Sequence, residues 1–440
     1  MCVIASRRPA AQHAGPSSGD LILSRLSYLA LACAAWGAVA AGPAWAEPAP
    51  AYADLLRQAT QTAPRLKEAQ AGVREAQGLA LQARARPNPV VGLQGENFGG
   101  KTPYNGTNLL ETTLSVAQAL ELGGKRSARV SAANAEVTAA EARNRQAAAD
   151  FAYELAVAYA AAEAAQNRAE LATQTLKRAQ DDLGVSRALV DAGREANLRL
   201  VMAQAAEASA RADAEAARAD AVEALARLSA LAGAPAPYTS LAGGLLSAPA
   251  SPATADGVPP ADMPALQVAR AEREAAGRLV TVERRRAIPD VTASFGVRQL
   301  NGQGLAGGNG TAVIAGVSLP FPLFDQNRGN VAAASARANA ADARFEEARL
   351  RAEADWRSAR IQADAAVSRV TASQQSEAAA DEAYRLARVG YESGKTPLVE
   401  VLNAQRALTD ARRTTLDARM ARVRAEATLA RLAGRAPFGE

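Results

Sequence analysis

Apolar residues recur in the first half of the chain at alternating spacings of four and three, which is the pattern of a coiled-coil seam. The seam positions are Phe151, Leu155, Ala158, Ala162, Ala165, Ala169, Ala172, Leu176, Ala179 and Leu183. Between Lys125 and Asp191 there is no proline and one interior glycine, Gly184. We therefore predict one helix of about 65 residues and about 100 Å. Alanine at most seam positions allows close approach of neighbouring helices.

A second seam follows in the other half of the chain, and Ser373 and Glu377 then interrupt it. Its positions are Ala352, Trp356, Ala359, Ala363, Ala366 and Val370. We predict shorter helices over Pro64–Arg86, Glu195–Ala232 and Thr396–Ala433. The first two together are about as long as the predicted long helix. Two helices stacked end to end beside one long helix would form the wall of a tube.

Alternating apolar and polar residues predict strands of about 9 to 11 residues, the length of a tilted strand that crosses a bilayer. The predicted strands are Val90–Phe98, Leu110–Leu120, Asp290–Leu300 and Thr311–Phe321. In the second, we group Leu114, Val116 and Ala117 against Thr113 and Ser115. Because open sheet edges are costly in lipid, four strands cannot span a membrane alone, so several copies must pool them.

The chain repeats itself at an offset of 200 to 201 residues, which predicts an internal duplication. Arg86-Pro87-Asn88-Pro89 corresponds to Arg286-Ala287-Ile288-Pro289, and Leu231-Ala232-Gly233 corresponds to Leu432-Ala433-Gly434. The predicted divisions are a signal peptide over 1–46, a first repeat over 47–240, a linker over 241–260 and a second repeat over 261–440. Each repeat reads helix, strand, strand, long helix, turn, helix.

The N-terminal segment has the composition of an export signal. Arginines precede an apolar run from Leu26 to Ala41, and Ala44-Trp45-Ala46 forms a cleavage site before Glu47. An alternative is lipoprotein processing, with Cys33 lipidated instead of cleavage after Ala46. Either route predicts an exported protein.

Composition limits the chemistry of the mature chain. His13, Cys2 and Cys33 are the only histidine and cysteines, and all three precede Glu47. Cleavage after Ala46 therefore excludes disulfides, Cys/His zinc sites, thiol nucleophiles and imidazole-based triads. The formal net charge of +5 falls to +3 when the signal is removed, and the charges are interspersed, so nothing indicates nucleic-acid binding. We expect no enzyme activity, no cofactor and no metal site.

Four segments resemble a known family, the outer-membrane efflux proteins typified by TolC. Glu96-Asn97-Phe98-Gly99-Gly100 and residues 111–126 (ETTLSVAQALELGGKR) are similar to its heavy-metal branch, which serves cobalt-zinc-cadmium pumps of the resistance-nodulation-division (RND) class. Gly390-Tyr391-Glu392-Ser393-Gly394, with Val401-Leu402-Asn403-Ala404-Gln405, is similar to the broader family's motif at the periplasmic tip. The resemblance covers essentially the whole mature chain.

The resemblance implies a mainly α-helical homotrimer with a transmembrane β-barrel of twelve strands, four from each chain, continued by a coiled-coil tunnel in the periplasm. It also implies an outer-membrane location in contact with lipid, and two partners, a periplasmic adaptor and an inner-membrane RND pump. The chain would be a passive exit duct for heavy-metal cations. Drug efflux or type I export of proteins and peptides remains an alternative, as does a soluble periplasmic coiled-coil adaptor.

The resemblance also places candidate gate residues at the periplasmic tip. Tyr391 and Glu400 match the family, Asn403 stands where a second acidic residue is expected, and Arg199 is the first-repeat equivalent of Glu400. We hypothesise an Arg199–Glu400 ion pair; the alternative is two unrelated solvated charges.

Two glycines and one loop complete the candidate sites. We expect Gly193 and Gly394 to adopt left-handed conformations at hairpin turns that an adaptor contacts. The segment Gly123-Gly124-Lys125-Arg126 is assigned to a strand-to-helix joint, where Lys125 and Arg126 could meet lipid head groups.

Overall fold

The structure is a computed structural model that describes residues 47–102, 104, 106–249, 262–302, 308–393 and 395–438. The predicted signal peptide, the alternative lipidation site Cys33 and the turn residue Gly394 lie outside the described residues. The predicted repeat and linker boundaries stay predictions.

Helices and strands alternate in the predicted order. In chain order they are α1 (Tyr52–Thr62), α2 (Pro64–Ala83), β1 (Val90–Glu96), β2 (Glu111–Leu120), α3 (Lys125–Asp191), α4 (Asn197–Ala232), α5 (Pro264–Arg286), β3 (Val291–Leu300), β4 (Gly310–Ser318), α6 (Arg328–Glu392) and α7 (Leu398–Leu432). The long helix from Lys125 to Asp191 is confirmed at both ends. Helix α1 was not predicted.

Several elements are shorter than predicted, for local reasons. Helix α2 stops at Ala83 instead of Arg86, because a residue that precedes a proline, here Pro87, is disfavoured in the helical conformation. Strand β1 stops at Glu96 because Asn97 has a φ of 61°, outside the extended region.

The helices pack as the matched lengths predicted. Helix α3 runs beside α2 and α4, and α6 runs beside α5 and α7. Just before α2 begins, the hydroxyl of Thr62, the last residue of α1, donates a hydrogen bond of 3.1 Å to the carbonyl of Ala232 at the end of α4. Further contacts of α3 with α5 and α7 join the two halves. In the described parts of the chain, no helix is both long and apolar enough to cross a membrane.

The main hydrophobic core surrounds the middle of α3 and includes the unpredicted helix α1. Tyr52 and Leu55 of α1 are buried beside Phe151, Leu155 and Tyr159. The Tyr52 and Tyr159 rings meet edge to face with their centroids 6.0 Å apart. The Tyr52 hydroxyl also donates to the Ala152 carbonyl at 3.0 Å, which satisfies its polar end. Helix α1 therefore covers one side of the core residues of α3.

The first part of the predicted linker packs against this core. The Glu163 carboxylate accepts hydrogen bonds from the backbone N–H groups of Leu245 (2.6 Å) and Leu246 (3.1 Å). From the other side, the buried guanidinium of Arg422 donates to the carbonyls of the same two residues. The half-buried Glu163 of α3 and the buried Arg422 of α7 thus hold one short segment of backbone.

The four strands form one antiparallel sheet in the order β1-β2-β3-β4. The pairing of β2 with β3 joins the two repeats, with Glu111 opposite Leu300 and Leu120 opposite Val291. Strands β1 and β4 form the two edges of the sheet, so each has one side without a strand partner in the single chain.

Candidate functional site

One face of the sheet is apolar and exposed. Its large side chains lie opposite one another across neighbouring strands and are 44% to 77% exposed. They are Val91, Leu93, Leu114, Val116, Phe295, Val297, Val313 and Val317. The sequence-based grouping of Ala117 with Leu114 and Val116 is wrong, because successive strand residues point to opposite faces and Ala117 follows Val116. An exposed apolar face of this extent is a surface for lipid or for a partner.

The opposite face of the sheet carries most of its polar side chains, although Val90 on this face is 66% exposed. Thr113 on this face is only 5% exposed. Near the end of the sheet away from the helices, Arg298 pairs with Glu111 at 2.9 Å and with Glu96 at 3.5 Å. Its Nε donates to the Thr113 hydroxyl at 3.2 Å. The sheet therefore has one face suited to hydrocarbon and one suited to water, as in a transmembrane strand.

The first helical hairpin ends in the predicted glycine turn. Gly193 has a φ of +67°, in the left-handed region, which confirms the expected backbone conformation of this residue. The N–H of Gly193 bonds to the Val190 carbonyl and the N–H of Arg194 bonds to the Leu189 carbonyl, both at 2.9 Å. These bonds satisfy carbonyls that the end of α3 leaves free.

The second hairpin depends on Gly390, which the sequence analysis placed in the tip motif without a role in the turn. Its carbonyl accepts bonds from the N–H of Lys395 at 2.8 Å and of Thr396 at 3.2 Å. A Cβ placed on Gly390 would overlap the Thr396 hydroxyl and lie 3.1 Å from its Cβ. Glycine is therefore required at position 390 by the close contact with Thr396, whereas glycine is favoured at position 193 by the left-handed backbone conformation.

We expect Gly390→Ala to destabilise this hairpin by about 1–3 kcal/mol, the usual cost of overpacking. Limited proteolysis of the purified chain should then cut between α6 and α7 faster than in the wild type. Thr396→Ala removes the overlapping hydroxyl, so the double variant should recover most of the resistance. Equal cleavage of Gly390→Ala and the wild type would contradict the steric reason.

Arg199 of the first hairpin lies close to Tyr391 of the second. A hydrogen bond with the Tyr391 hydroxyl raises the pKa of Arg199 above its ordinary value, burial opposes the rise, and Glu195 adds to it. The Arg199 guanidinium lies 2.7 Å from the Glu195 carboxylate, and its Nε lies 3.5 Å from the hydroxyl of buried Ser186. Tyr391 comes from the end of α6, so Arg199 links the two repeats.

A carboxylate with an altered pKa lies next to this contact. Burial raises the pKa of Asp182, the charge of Asp181 raises it further, and Arg199 lowers it. The positive charge of Arg199 thus faces carboxylates from α3 as well as from its own turn.

The hypothesised ion pair between Arg199 and Glu400 is not formed among the described residues of the single chain and stays a prediction. Among the described residues, Arg199 forms its ion pair within 4.0 Å with Glu195. The reason is placement: Arg199 faces the end of α6, where Tyr391 lies, and Glu400 is exposed in the first turn of α7. Asn403 is also exposed. Among the described residues, no group of three or more His, Cys, Asp or Glu side chains could hold a metal ion.

Comparison with known proteins identifies the family to which this architecture belongs. Residues 55–234 and 261–435 match the family described as outer membrane efflux protein. The chain belongs to this family. The expected resemblance is confirmed, and its members are efflux proteins of the outer membrane. Membership favours the channel over a soluble periplasmic adaptor.

Relatives within the outer membrane efflux family cover most of the chain. The nickel-cobalt-cadmium resistance protein NccC of Alcaligenes xylosoxydans xylosoxydans is 46% identical over 403 residues, 91% of this chain and 90% of NccC. The nickel and cobalt resistance protein CnrC of Cupriavidus metallidurans is 46% identical over 315 residues, 71% of this chain and 73% of CnrC.

Solved structures confirm the fold class. The crystal structure of CusC, a protein that forms a transmembrane channel, matches the structure of this chain with a TM-score of 0.70 and 21% sequence identity. The match covers 87% of this chain and 92% of CusC. A four-stranded sheet continued by long paired helices is thus the fold of an outer-membrane channel.

Proposed function

We propose that the chain is the outer-membrane duct of a tripartite RND efflux system and passes heavy-metal cations passively, without catalysis or cofactor. The observation that carries the proposal is the sheet, whose exposed apolar face and polar opposite face suit a wall between lipid and water. The names of NccC and CnrC support nickel, cobalt and cadmium as cargo.

The assembly we propose is a homotrimer. Strands β1 and β4 each leave one row of backbone groups without a strand partner in the single chain, and such groups cost several kcal/mol each in lipid. Pairing β4 of one copy with β1 of the next removes both edges, and three copies close twelve strands into one barrel. The long helices then extend from the outer membrane into the periplasm.

The helical tip is the proposed docking end for the periplasmic adaptor and the inner-membrane pump. Large apolar side chains are exposed on both hairpins: Leu198 is 69%, Met202 65%, Val389 52% and Val399 62% exposed. Exposed apolar groups concentrated at one end of a molecule suit a protein partner. The hairpin turns at Gly193 and Gly394 are part of this proposed contact surface.

The same tip is the proposed gate. Arg199 lies close to Tyr391 of the other hairpin, and Glu400 and Asn403 are exposed one to two turns into α7. We assign these four side chains to the constriction, with Arg199 and Tyr391 as the closing contact. Glu400 and Asn403 are free to meet ions or a neighbouring copy.

Gene deletion followed by growth on graded nickel, cobalt, cadmium and zinc tests the function. We expect the deletion strain to tolerate several-fold less of at least one metal, and the wild-type gene to restore tolerance. Unchanged tolerance of every metal, together with a new sensitivity to drugs or a lost secreted protein, would contradict metal efflux.

A further inference from the structure

The junctions between strands and helices come together at one end of the sheet. The Arg126 side chain donates a 2.8 Å hydrogen bond to the Arg84 carbonyl, which joins the start of α3 to the end of α2. Lys125 pairs with Asp290 at 2.8 Å, which joins α3 to the start of β3. Asn327 donates to the Glu283 carbonyl at 2.7 Å, which joins the start of α6 to α5. We name residues 84–86, 121–129, 283–290 and 325–328 together the basic belt.

The basic belt carries a large excess of positive charge. It contains nine arginines and lysines against four carboxylates, whereas the chain from Glu47 onward has a net charge of only +3. Three of the cations are paired within the belt: Lys125 with Asp290, Arg129 with Glu121 and Arg286 with Glu283.

Six belt arginines are exposed and, among the described residues, have no carboxylate within 4.0 Å. They are Arg84, Arg86, Arg126, Arg284, Arg285 and Arg328. Arg126 and Arg328 also lie in the first turns of α3 and α6, where no acidic residue is present. A cation at a helix N-terminus is unfavourable for the helix. Helix stability therefore does not account for Arg126 and Arg328, whereas Arg284 and Arg285 lie in the last turn of α5, where a cation is favourable.

Exposed apolar side chains adjoin the basic belt. Phe321 is 82%, Leu323 62% and Phe324 95% exposed, and all three lie between β4 and α6. Aromatic side chains beside cations are typical of a membrane–water interface. The belt thus continues the apolar face of the sheet into a zone of mixed aromatic and positive character.

The opposite end of the sheet has no such excess. There the charged residues of the strands are Glu96, Glu111 and Arg298, and the intervening loops add only Lys101 as a charged residue. The charges at that end are therefore balanced, two against two. The asymmetry distinguishes one boundary of the sheet from the other.

We propose that the basic belt binds the phosphate groups of anionic phospholipids in the periplasmic leaflet of the outer membrane. This inference rests on the proposed function, because it takes the apolar face of the sheet to be in lipid. Each arginine near an anionic lipid surface contributes a roughly additive attraction. Guanidinium groups also bind phosphate oxygens through paired hydrogen bonds. The belt would fix the depth of the sheet in the membrane.

Lipid retention by the purified full-length protein tests the proposal. Native mass spectrometry would compare bound phosphatidylglycerol with bound phosphatidylcholine after exposure to an equal mixture. We expect the wild type to prefer phosphatidylglycerol, and the triple variant Arg84→Gln, Arg284→Gln, Arg328→Gln to lose at least about fivefold of that preference. The preference should weaken at high salt, since screening shortens the reach of the charges.

A matched variant removes the same charge from the helices away from the belt. Arg187→Gln, Arg369→Gln and Arg406→Gln replace exposed arginines on α3, α6 and α7, and the combined variant should retain the wild-type preference. An equal loss in both triple variants, or no preference in the wild type, would overturn the proposal.

Conductance in a neutral lipid bilayer separates the two levels of inference. If the wild type conducts ions but does not prefer phosphatidylglycerol, the lipid site is wrong and the channel stands. If it forms no conducting species in any lipid, the proposed function itself fails.

Discussion

Replacing Val116 by arginine should abolish assembly of the chain in the outer membrane, whereas replacing the next residue, Ala117, should not. Val116 lies on the apolar face, is 47% exposed and sits opposite Val91 and Phe295 on the neighbouring strands. A lipid-facing arginine near the bilayer midplane costs about 2–4 kcal/mol. A trimer would carry three such arginines, and their summed cost is a large part of the free energy of unfolding of most folded proteins.

Ala117 is a matched control because it belongs to the same strand and pairs with Val90 and Ser294 on the opposite, polar face. An arginine there can extend into water. Membrane fractionation and electrophoresis without heating would compare trimer yields of the two variants. Equal yields, whether high or low, would contradict the assignment of the two faces.

Local patterns were sufficient to predict the long elements. The uninterrupted stretch from Lys125 to Asp191 fixed α3 at both ends, since glycines precede and follow it. Seam burial is complete near the core, at Phe151, Leu155 and Ala162, and only partial from Ala169 onward. In a single chain the seam from Ala169 onward is only partly covered, so its apolar pattern indicates a surface that other copies would bury.

Ser373 was read as an interruption of the second seam, yet it is only 6% exposed. Its hydroxyl donates to the Val370 carbonyl at 2.9 Å, and its own carbonyl accepts from the Thr415 hydroxyl at 3.2 Å. A small side chain whose polar group bonds to its own helix can therefore occupy a seam position. The polarity of Ser373 is therefore not enough to interrupt the seam.

Helix α1 was missed although its signal is present. Tyr52, Leu55, Leu56 and Ala59 follow the spacing of one helical face and are all buried. The segment is short and adjoins the predicted signal, and its stability comes from contacts with α3 rather than from its own length. Helix α1 forms because it packs on the core around α3, and the sequence pattern did not show where that core lies.

Tip contacts could not be read from periodicity, because they join residues that are distant in the chain. The partner of Arg199 is Tyr391, 192 positions later, and the Arg178 guanidinium lies 5.8 Å from the centroid of the Tyr384 ring. The repeat offset of 201 instead paired Arg199 with Glu400 by correspondence between the repeats, which is not the same as contact.

Arg199→Ala should therefore open the tip and raise single-channel conductance several-fold. A hydrogen bond to a charged group contributes about 1.5–3 kcal/mol. We take the lower value because Tyr391 is 37% exposed; it corresponds to about a tenfold shift between closed and open tips. Tyr391→Phe keeps the ring but removes the hydroxyl, so it should reproduce most of the increase in planar bilayer recordings.

Arg194→Ala provides the control for charge. Arg194 lies on the same turn and is exposed, and its bond to the turn among the described residues is the one from its backbone N–H to the Leu189 carbonyl. Removing its charge changes the local field but breaks no contact between the hairpins. If Arg194→Ala and Arg199→Ala raised conductance equally, the increase would come from charge at the pore mouth, and the contact with Tyr391 would not be the closing element. If only Arg199→Ala and Tyr391→Phe did so, the closed state is held by one contact between the two repeats of each chain.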